Sequence, residues 1–169
     1  MPTIHTTNTV VFPNPHAASA NQQIALTIST RIATLLQQGT ILAQYRLPKK
    51  QFLLFILLLK LPGGALHAEL LAILHSSDTL VEQVLMAADE QAVSLLIQRE
   101  AAQWKAHLQD VAHMGPRDTR RELAVLRLSL TGKRGLNTIL KEFGMIALPV
   151  YKQGYLLCPL QQTHKRSRS

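Results

Sequence analysis

The stretch that decides the fold is Leu47–Gly63, which reads LPKKQFLLFILLLKLPG. Its centre, from Phe52 to Leu59, is entirely apolar. Pro48 stands where a helix can begin, because the missing N–H of proline costs nothing in the first turn. Pro62-Gly63-Gly64 then ends the helix. A membrane-spanning helix needs about 20 apolar residues, so this shorter run predicts a helix buried in a protein core.

Short strands precede this helix. Ile24, Leu26 and Ile28 alternate with smaller residues, and Gln37–Thr40 has the composition of a tight turn before the next apolar residues. Residues 1–21 are rich in Thr, Asn, Pro and Ser and keep no sustained period. We therefore expect a flexible N-terminal tail or a loosely attached strand over 1–21, followed by strands joined by tight turns.

Helical patterns follow the deciding helix. A short helix is predicted from Leu66 to Leu74, and capping-box spacing at Thr79 and at Thr119 predicts two further helix starts. The stretch between them carries an apolar stripe that includes Trp104 and forms a helical insert at about 76–116. Its stripe either packs against the host domain or forms a homodimer with a second copy.

The chain ends in a hairpin pattern. A short helix through Leu136 and Phe143 is predicted to end at Gly144, and Gly154 lies between two strand-like runs. Pro149 would put its strand at a sheet edge. We expect one α+β domain over 22–160 and a basic C-terminal tail over 161–169.

Composition narrows the class of protein. Hydrophobic residues make up 47% and charged residues 17% of the 169 residues, and the formal net charge is +8. A positive charge favours polyanionic partners such as nucleic acid. The single cysteine, Cys158, excludes a disulfide within the chain and favours a reducing, cytoplasmic location. Because the histidines lack metal-ligand spacing and no phosphate-binding loop occurs, we expect no enzyme, metal or cofactor.

Two segments resemble the DNA-binding domain of OmpR/PhoB-type transcription regulators. In that family a helix of the pattern Leu-Thr-x-x-Glu-Phe follows short strands and ends in Pro-Gly, and the closing hairpin carries Gly-Tyr-Arg-Leu. The matching residues are Leu47, Phe52, Leu53, Leu54, Pro62 and Gly63 in the first segment, and Val150, Gly154, Tyr155 and Leu157 in the second. The resemblance implies a winged helix-turn-helix with N-terminal short β-strands and a C-terminal β-hairpin wing, a fold that binds double-stranded DNA. The inserted amphipathic helix would be an addition of this chain.

The chain departs from this pattern at several positions. Pro48 replaces a Thr or Ser, Gln51 replaces an acidic residue, and Leu156 replaces an Arg that could contact the DNA backbone. The insert at 76–116 stands where the family has a short connection. No receiver domain lies within the sequence, so we expect that aspartyl phosphorylation is not the switch.

Two stretches compete for the role of recognition helix, which reads base edges in the major groove. The first, from Thr119 to Leu130, carries Arg120, Arg121 and Arg127, and its apolar residues Leu123, Leu126 and Leu130 share the opposite side. The second directly precedes the hairpin and is the one that the sequence favours. Its polar residues are Lys133, Arg134, Asn137, Thr138 and Lys141, with Lys152 and Gln153 near the hairpin tip.

The sequence thus favours a DNA-binding transcription regulator with no membrane segment. An adaptor that keeps the winged-helix shape but binds a protein remains open, because few polar residues occupy the second stretch. RNA binding is a third reading, although aromatic residues, at 5%, offer little surface for base stacking.

Overall fold

A computed structural model describes residues 9–16, 21–114 and 116–160, and of residues 110–120 it describes the helical backbone alone. The fold is mixed α+β, as the sequence predicted. Within the described ranges, every helix is too short or too polar to span a lipid bilayer. The predicted basic tail, 161–169, lies outside these ranges.

Residues 9–46 form an antiparallel sheet in the order β1-β2-β3-β4. The strands are β1 (Thr9–Pro13), β2 (Gln22–Thr27), β3 (Ile32–Gln37) and β4 (Thr40–Arg46). Gln38 and Gly39 both adopt positive φ between β3 and β4. The predicted strands and their tight turn are therefore confirmed.

Strand β1 corrects the expected flexible tail over 1–21. Val10 and Phe12 pack against the core, and Asn14 donates a hydrogen bond of 3.1 Å from Nδ2 to the carbonyl oxygen of Phe143. For residues 9–16 the flexible tail was therefore wrong and the alternative, an attached strand, holds. Two alternating apolar residues among Thr and Pro are too short a signal to decide between the two. The other parts of the expected tail, 1–8 and 17–20, lie outside the described residues.

The deciding helix is α1 (Lys49–Lys60), which the sequence predicted. Phe52 through Leu58 are buried along it on every side. Phe55 meets the ring of Phe143 edge to face, with 5.9 Å between the ring centroids. Burial of one such side chain contributes about 1.5–3 kcal/mol, so α1 is the centre of the hydrophobic core.

After the turn at Pro62, strand β5 (Ala65–Leu66) leads into the predicted short helix α2 (His67–Leu74). The insert then forms α3 (Asp78–Met86) and α4 (Glu90–Met114). Ser77, not Thr79, caps α3: its Oγ accepts the N–H of Leu80 at 3.2 Å. The predicted cap at Thr79 was wrong by two residues, because Ser77 and Thr79 both precede the apolar run.

One face of the insert packs against the host domain. Val93 and Ile97 of α4 are fully buried, and Trp104 stacks on His75 at the end of α2 with 4.9 Å between ring centroids. Lys60 donates from Nζ to the last carbonyl groups around α3, at 3.2 Å to Leu85 and 2.7 Å to Ala87. A cation at a helix C-terminus is stabilising, so Lys60 ties α3 to α1.

The C-terminal elements complete the fold. Helix α5 (Pro116–Thr131) begins before the predicted Thr119, and the short α6 (Asn137–Leu140) continues as a 3₁₀ turn to Phe143. Gly144, with φ of 79°, ends it as predicted. Strands β6 (Met145–Val150) and β7 (Gly154–Pro159) form the predicted hairpin and join β5 in the order β5-β7-β6. Pro149 lies on the edge strand, which confirms its predicted position.

Candidate nucleic-acid interface

Helix α5 has one buried and one exposed side. Leu126 and Leu130 are fully buried, and Leu123 packs partly against the core. Arg121 and Arg127 are exposed. The predicted division between core-facing leucines and outward cations is therefore confirmed for these residues. Arg120 lies on the same helix, in the part where only the backbone is described.

Arg127 brings α5 into electrostatic contact with the hairpin. Burial raises the pKa of the Tyr155 phenol above its usual 10.0, and the nearby Arg127 guanidinium opposes that rise by favouring the phenolate. Tyr155 belongs to β7 and pairs with Ala65 of β5. An exposed cation of α5 therefore lies beside the C-terminal sheet.

The hairpin turn, Tyr151–Gln153, is fixed in place by contacts with α2. The N–H of His67 donates to the carbonyl oxygen of Gln153 at 2.9 Å. Lys152 adopts a positive φ of 58° and is exposed. Next to the turn, a Cβ on Gly154 would clash with the carbonyl oxygen of Ala65. Only glycine permits β5 and β7 to approach this closely, which explains why Gly154 marks the hairpin in the sequence.

His67 lies between α2 and the hairpin. Its ring meets that of Tyr155 at a steep angle, with 5.9 Å between the ring centroids. Burial lowers the pKa of the His67 imidazole below its usual 6.5. The first residue of α2, the hairpin turn and Arg127 thus border one another around Tyr155.

A second group of cations gathers at the N-terminus of α1. The loop after α5 folds back on its end, since the N–H of Leu136 donates to the carbonyl oxygen of Ser129 at 2.7 Å. Gln51 of α1 donates from Nε2 to the carbonyl oxygen of Arg134 at 2.6 Å. Lys133 and Arg134, both exposed, therefore lie at the end of α1 that begins with two exposed lysines.

Sequence reasoning missed those two lysines, Lys49 and Lys50. A signal was present, because the first turn of α1 holds two cations and no acidic residue. Cations are unfavourable at a helix N-terminus, where the helix dipole is positive. An anionic partner at this end of α1 would remove that penalty.

Asn137 does not belong to the exposed surface. It is 8% exposed, its Nδ2 donates to the carbonyl oxygen of Ala147 at 2.9 Å, and its Oδ1 accepts the N–H of the same residue at 2.7 Å. The nitrogen and the oxygen of the side-chain amide thus both form hydrogen bonds with the backbone of strand β6. The expectation that Asn137 reads base edges is corrected, since its hydrogen bonds are already used inside the protein.

The remaining residues of the favoured stretch lie away from the hairpin turn. Thr138 is exposed and donates from Oγ1 to the carbonyl oxygen of Gly135 at 2.7 Å. Lys141 is exposed just before Gly144, and its neighbour Glu142 accepts a hydrogen bond of 3.3 Å from the Tyr45 hydroxyl. A six-residue strand, β6, separates this end from the turn that carries Lys152 and Gln153. Such a strand spans about 17 Å, so the structure does not bring Lys141 and Lys152 together.

In comparisons with protein families, curated proteins and solved structures, the chain matched none.

Proposed function

We propose that this chain is a winged helix of the OmpR/PhoB type that binds double-stranded DNA and regulates transcription. Helix α5 lies in the major groove, and the hairpin turn contacts the backbone beside it. The observation that carries the proposal is the two-sided character of α5, with Arg121 and Arg127 exposed and Leu126 and Leu130 buried. Readout of base edges in the major groove needs a helix whose polar side is free to face the DNA.

The length of α5 favours it over α6 as the recognition helix. α5 has 16 residues, about 24 Å of helix, whereas α6 has 4 residues with two of them buried. The major groove of B-form DNA is about 12 Å wide and admits an α-helix. We therefore transfer the recognition role from the stretch that the sequence favoured to the stretch around Arg121 and Arg127.

The exposed side of α5 offers both kinds of contact that sequence readout needs. Arg127 can donate two hydrogen bonds to the O6 and N7 atoms of guanine. Leu128 is 62% exposed and follows Arg121 by two helical turns. An apolar side chain in the groove can pack on the methyl group of thymine.

Phosphate contacts come from the cations that border α5. Lys133 and Arg134 extend from the end of α5, Lys49 and Lys50 adjoin them across the Gln51 hydrogen bond, and Lys152 occupies the hairpin turn. Phosphate contacts set register and supply affinity that falls with salt, without selecting sequence. Lys141 is left out of this interface because it lies at the opposite end of β6.

The test is fluorescence anisotropy with duplexes selected from a random pool. Arg127→Ala should lower affinity for the selected duplex by about 1–3 kcal/mol and relax the preference at one position. Lys141→Ala is the matched control and should bind as the wild type does. Equal affinities of the wild type and Arg127→Ala would refute the assignment of α5.

A groove of about 390 Å³ between the start of α2 and α4 favours a protein-interaction surface on this chain. Leu66 and Leu95 line it and are 52% and 69% exposed. We assign a second copy of this chain to the groove, because Glu69 and Lys105 both line it. In a two-fold symmetric dimer, a residue i of one copy contacts a residue j of the other, and j contacts i in return. A homodimer would therefore form two contacts between Glu69 of one copy and Lys105 of the other. Such a dimer is also compatible with binding to two DNA half-sites.

A further inference from the structure

A second cleft borders the start of α1. It has a volume of about 380 Å³ and opens between the β2–β3 turn, the start of α1 and helix α3. Phe52, Leu53 and Val81 supply an apolar floor. Pockets that bind small molecules start at about 300 Å³ and combine an apolar lining with a few polar groups. The cleft has both properties.

The charged residues that line this cleft are sorted by sign. Two cations line it, Arg31 on the β2–β3 turn and Lys49 at the start of α1, and we call them the basic wall. The two carboxylates, Asp78 and Glu82, lie one helical turn apart on α3, and we call them the acidic wall. The carbonyl oxygen of Arg31 accepts the N–H of Leu47 at 2.8 Å, which fixes the turn against the start of α1.

The two walls do not neutralise each other. Among the described residues, no nitrogen of Arg31 or Lys49 lies within the 4.0 Å of an ion pair with Asp78 or Glu82. The four charged side chains therefore line the cleft without an ion pair across it. A molecule with an ammonium group, a carboxylate and an apolar body between them would satisfy both walls and the floor at once.

We infer that this cleft binds a small zwitterion of the α-amino acid class that carries an apolar side chain. Arg31 and Lys49 receive the carboxylate, Asp78 and Glu82 receive the ammonium group, and the side chain packs on Phe52 and its neighbours. Hydrogen bonds between charged groups are about twice as strong as neutral ones. Since α3 belongs to the insert, the ligand would tie the insert to the N-terminal sheet.

The probes are L-leucine and L-phenylalanine, with their N-acetyl and carboxamide derivatives as matched controls. Each derivative keeps the apolar side chain and loses one of the two charges. A ligand that binds the folded state alone raises Tm as its concentration increases. We expect Tm to rise with at least one of the two amino acids and to stay unchanged with its derivatives.

Variants then locate the binding site by titration calorimetry. Arg31→Gln and Glu82→Gln should each weaken binding at least about tenfold, the equivalent of 1.4 kcal/mol. Lys50→Gln changes an exposed lysine that neighbours Lys49 but does not line the cleft, and should bind as the wild type does. If Arg31→Gln does not fold, Glu82→Gln on the exposed side of α3 still decides.

Three outcomes would overturn the inference. The first is that neither amino acid raises Tm or gives a heat of binding. The second is that the derivatives lacking one charge bind as tightly as the parent amino acid. The third is that Lys50→Gln and Glu82→Gln lose the same amount of binding affinity. None of these measurements uses DNA, so the inference stands or fails independently of the proposed function.

Discussion

Arg127 of α5 opposes the rise that burial causes in the pKa of Tyr155, a residue of β7. Removing the guanidinium should therefore raise the pKa of Tyr155 further above 10.0. Titration of tyrosinate absorbance in Arg127→Gln should show one tyrosine shifted to higher pH, and Tyr155→Phe should remove that component. Arg121→Gln, on the same helix, should leave it in place. If the pKa of Tyr155 in Arg127→Gln equalled that in the wild type, Arg127 of α5 would not lie close to Tyr155 of the hairpin.

Protonation of His67 should weaken the folded state. Burial lowers the pKa of His67 below the 6.5 of an unfolded chain, so the unfolded chain binds more protons between those two values. The contribution of neutral His67 to the free energy of unfolding is therefore fully present above pH 6.5 and decreases as pH falls below it. The Tm difference between the wild type and His67→Gln should shrink over that range. Parallel curves of Tm against pH would contradict this.

Loss of the Asn137 amide should destabilise the fold. Asn137→Ala leaves the N–H and the carbonyl oxygen of Ala147 without their partners. Each buried polar group left unsatisfied costs about 1–3 kcal/mol. Urea denaturation should show that loss, while Thr138→Ala, at the exposed neighbouring position, should change stability far less. A variant Asn137→Ala as stable as the wild type would mean that the amide does not hold β6.

The homodimer should respond to an exchange of charge. Glu69→Lys and Lys105→Glu should each place like charges across the interface and lower the molar mass in light scattering toward the monomer. An equimolar mixture of the two variants should restore the dimer, because each copy then faces opposite charges. Glu69 also accepts the N–H of Leu66 at 2.8 Å, so some loss of stability in Glu69→Lys is expected. A monomeric wild type, or a mixture that stays monomeric, would refute the dimer.

The elements that could be predicted are those in which the local sequence pattern and the tertiary packing favour the same structure. The apolar run of α1 is buried on every side, and Gly154 is needed where β7 meets Ala65. The buried helix and the hairpin were both predicted and both are confirmed, whereas the contact of Gly154 with Ala65 was not predicted. The sequence left β1 undecided between a tail and a strand because its neighbours along the chain resemble a loop, and its order comes from pairing with β2.

The candidate site was harder to predict for the same reason. A polar residue between two glycines, such as Asn137, can face solvent or hold a neighbouring strand, and only the position of β6 decides between them. Lys49 and Lys50 join Lys133 and Arg134 through a contact between distant segments of the chain. No local pattern contains that information.

The salt dependence of duplex binding tests the central claim most directly. Each phosphate neutralised in B-form DNA contributes a slope of about −0.9 to log affinity against log salt concentration. We predict a steep negative slope for the wild type, and a slope less negative by about 1.8 for Lys133→Gln with Arg134→Gln, if each cation neutralises one phosphate. The absence of binding at low salt, or equal slopes for the two proteins, would contradict the account.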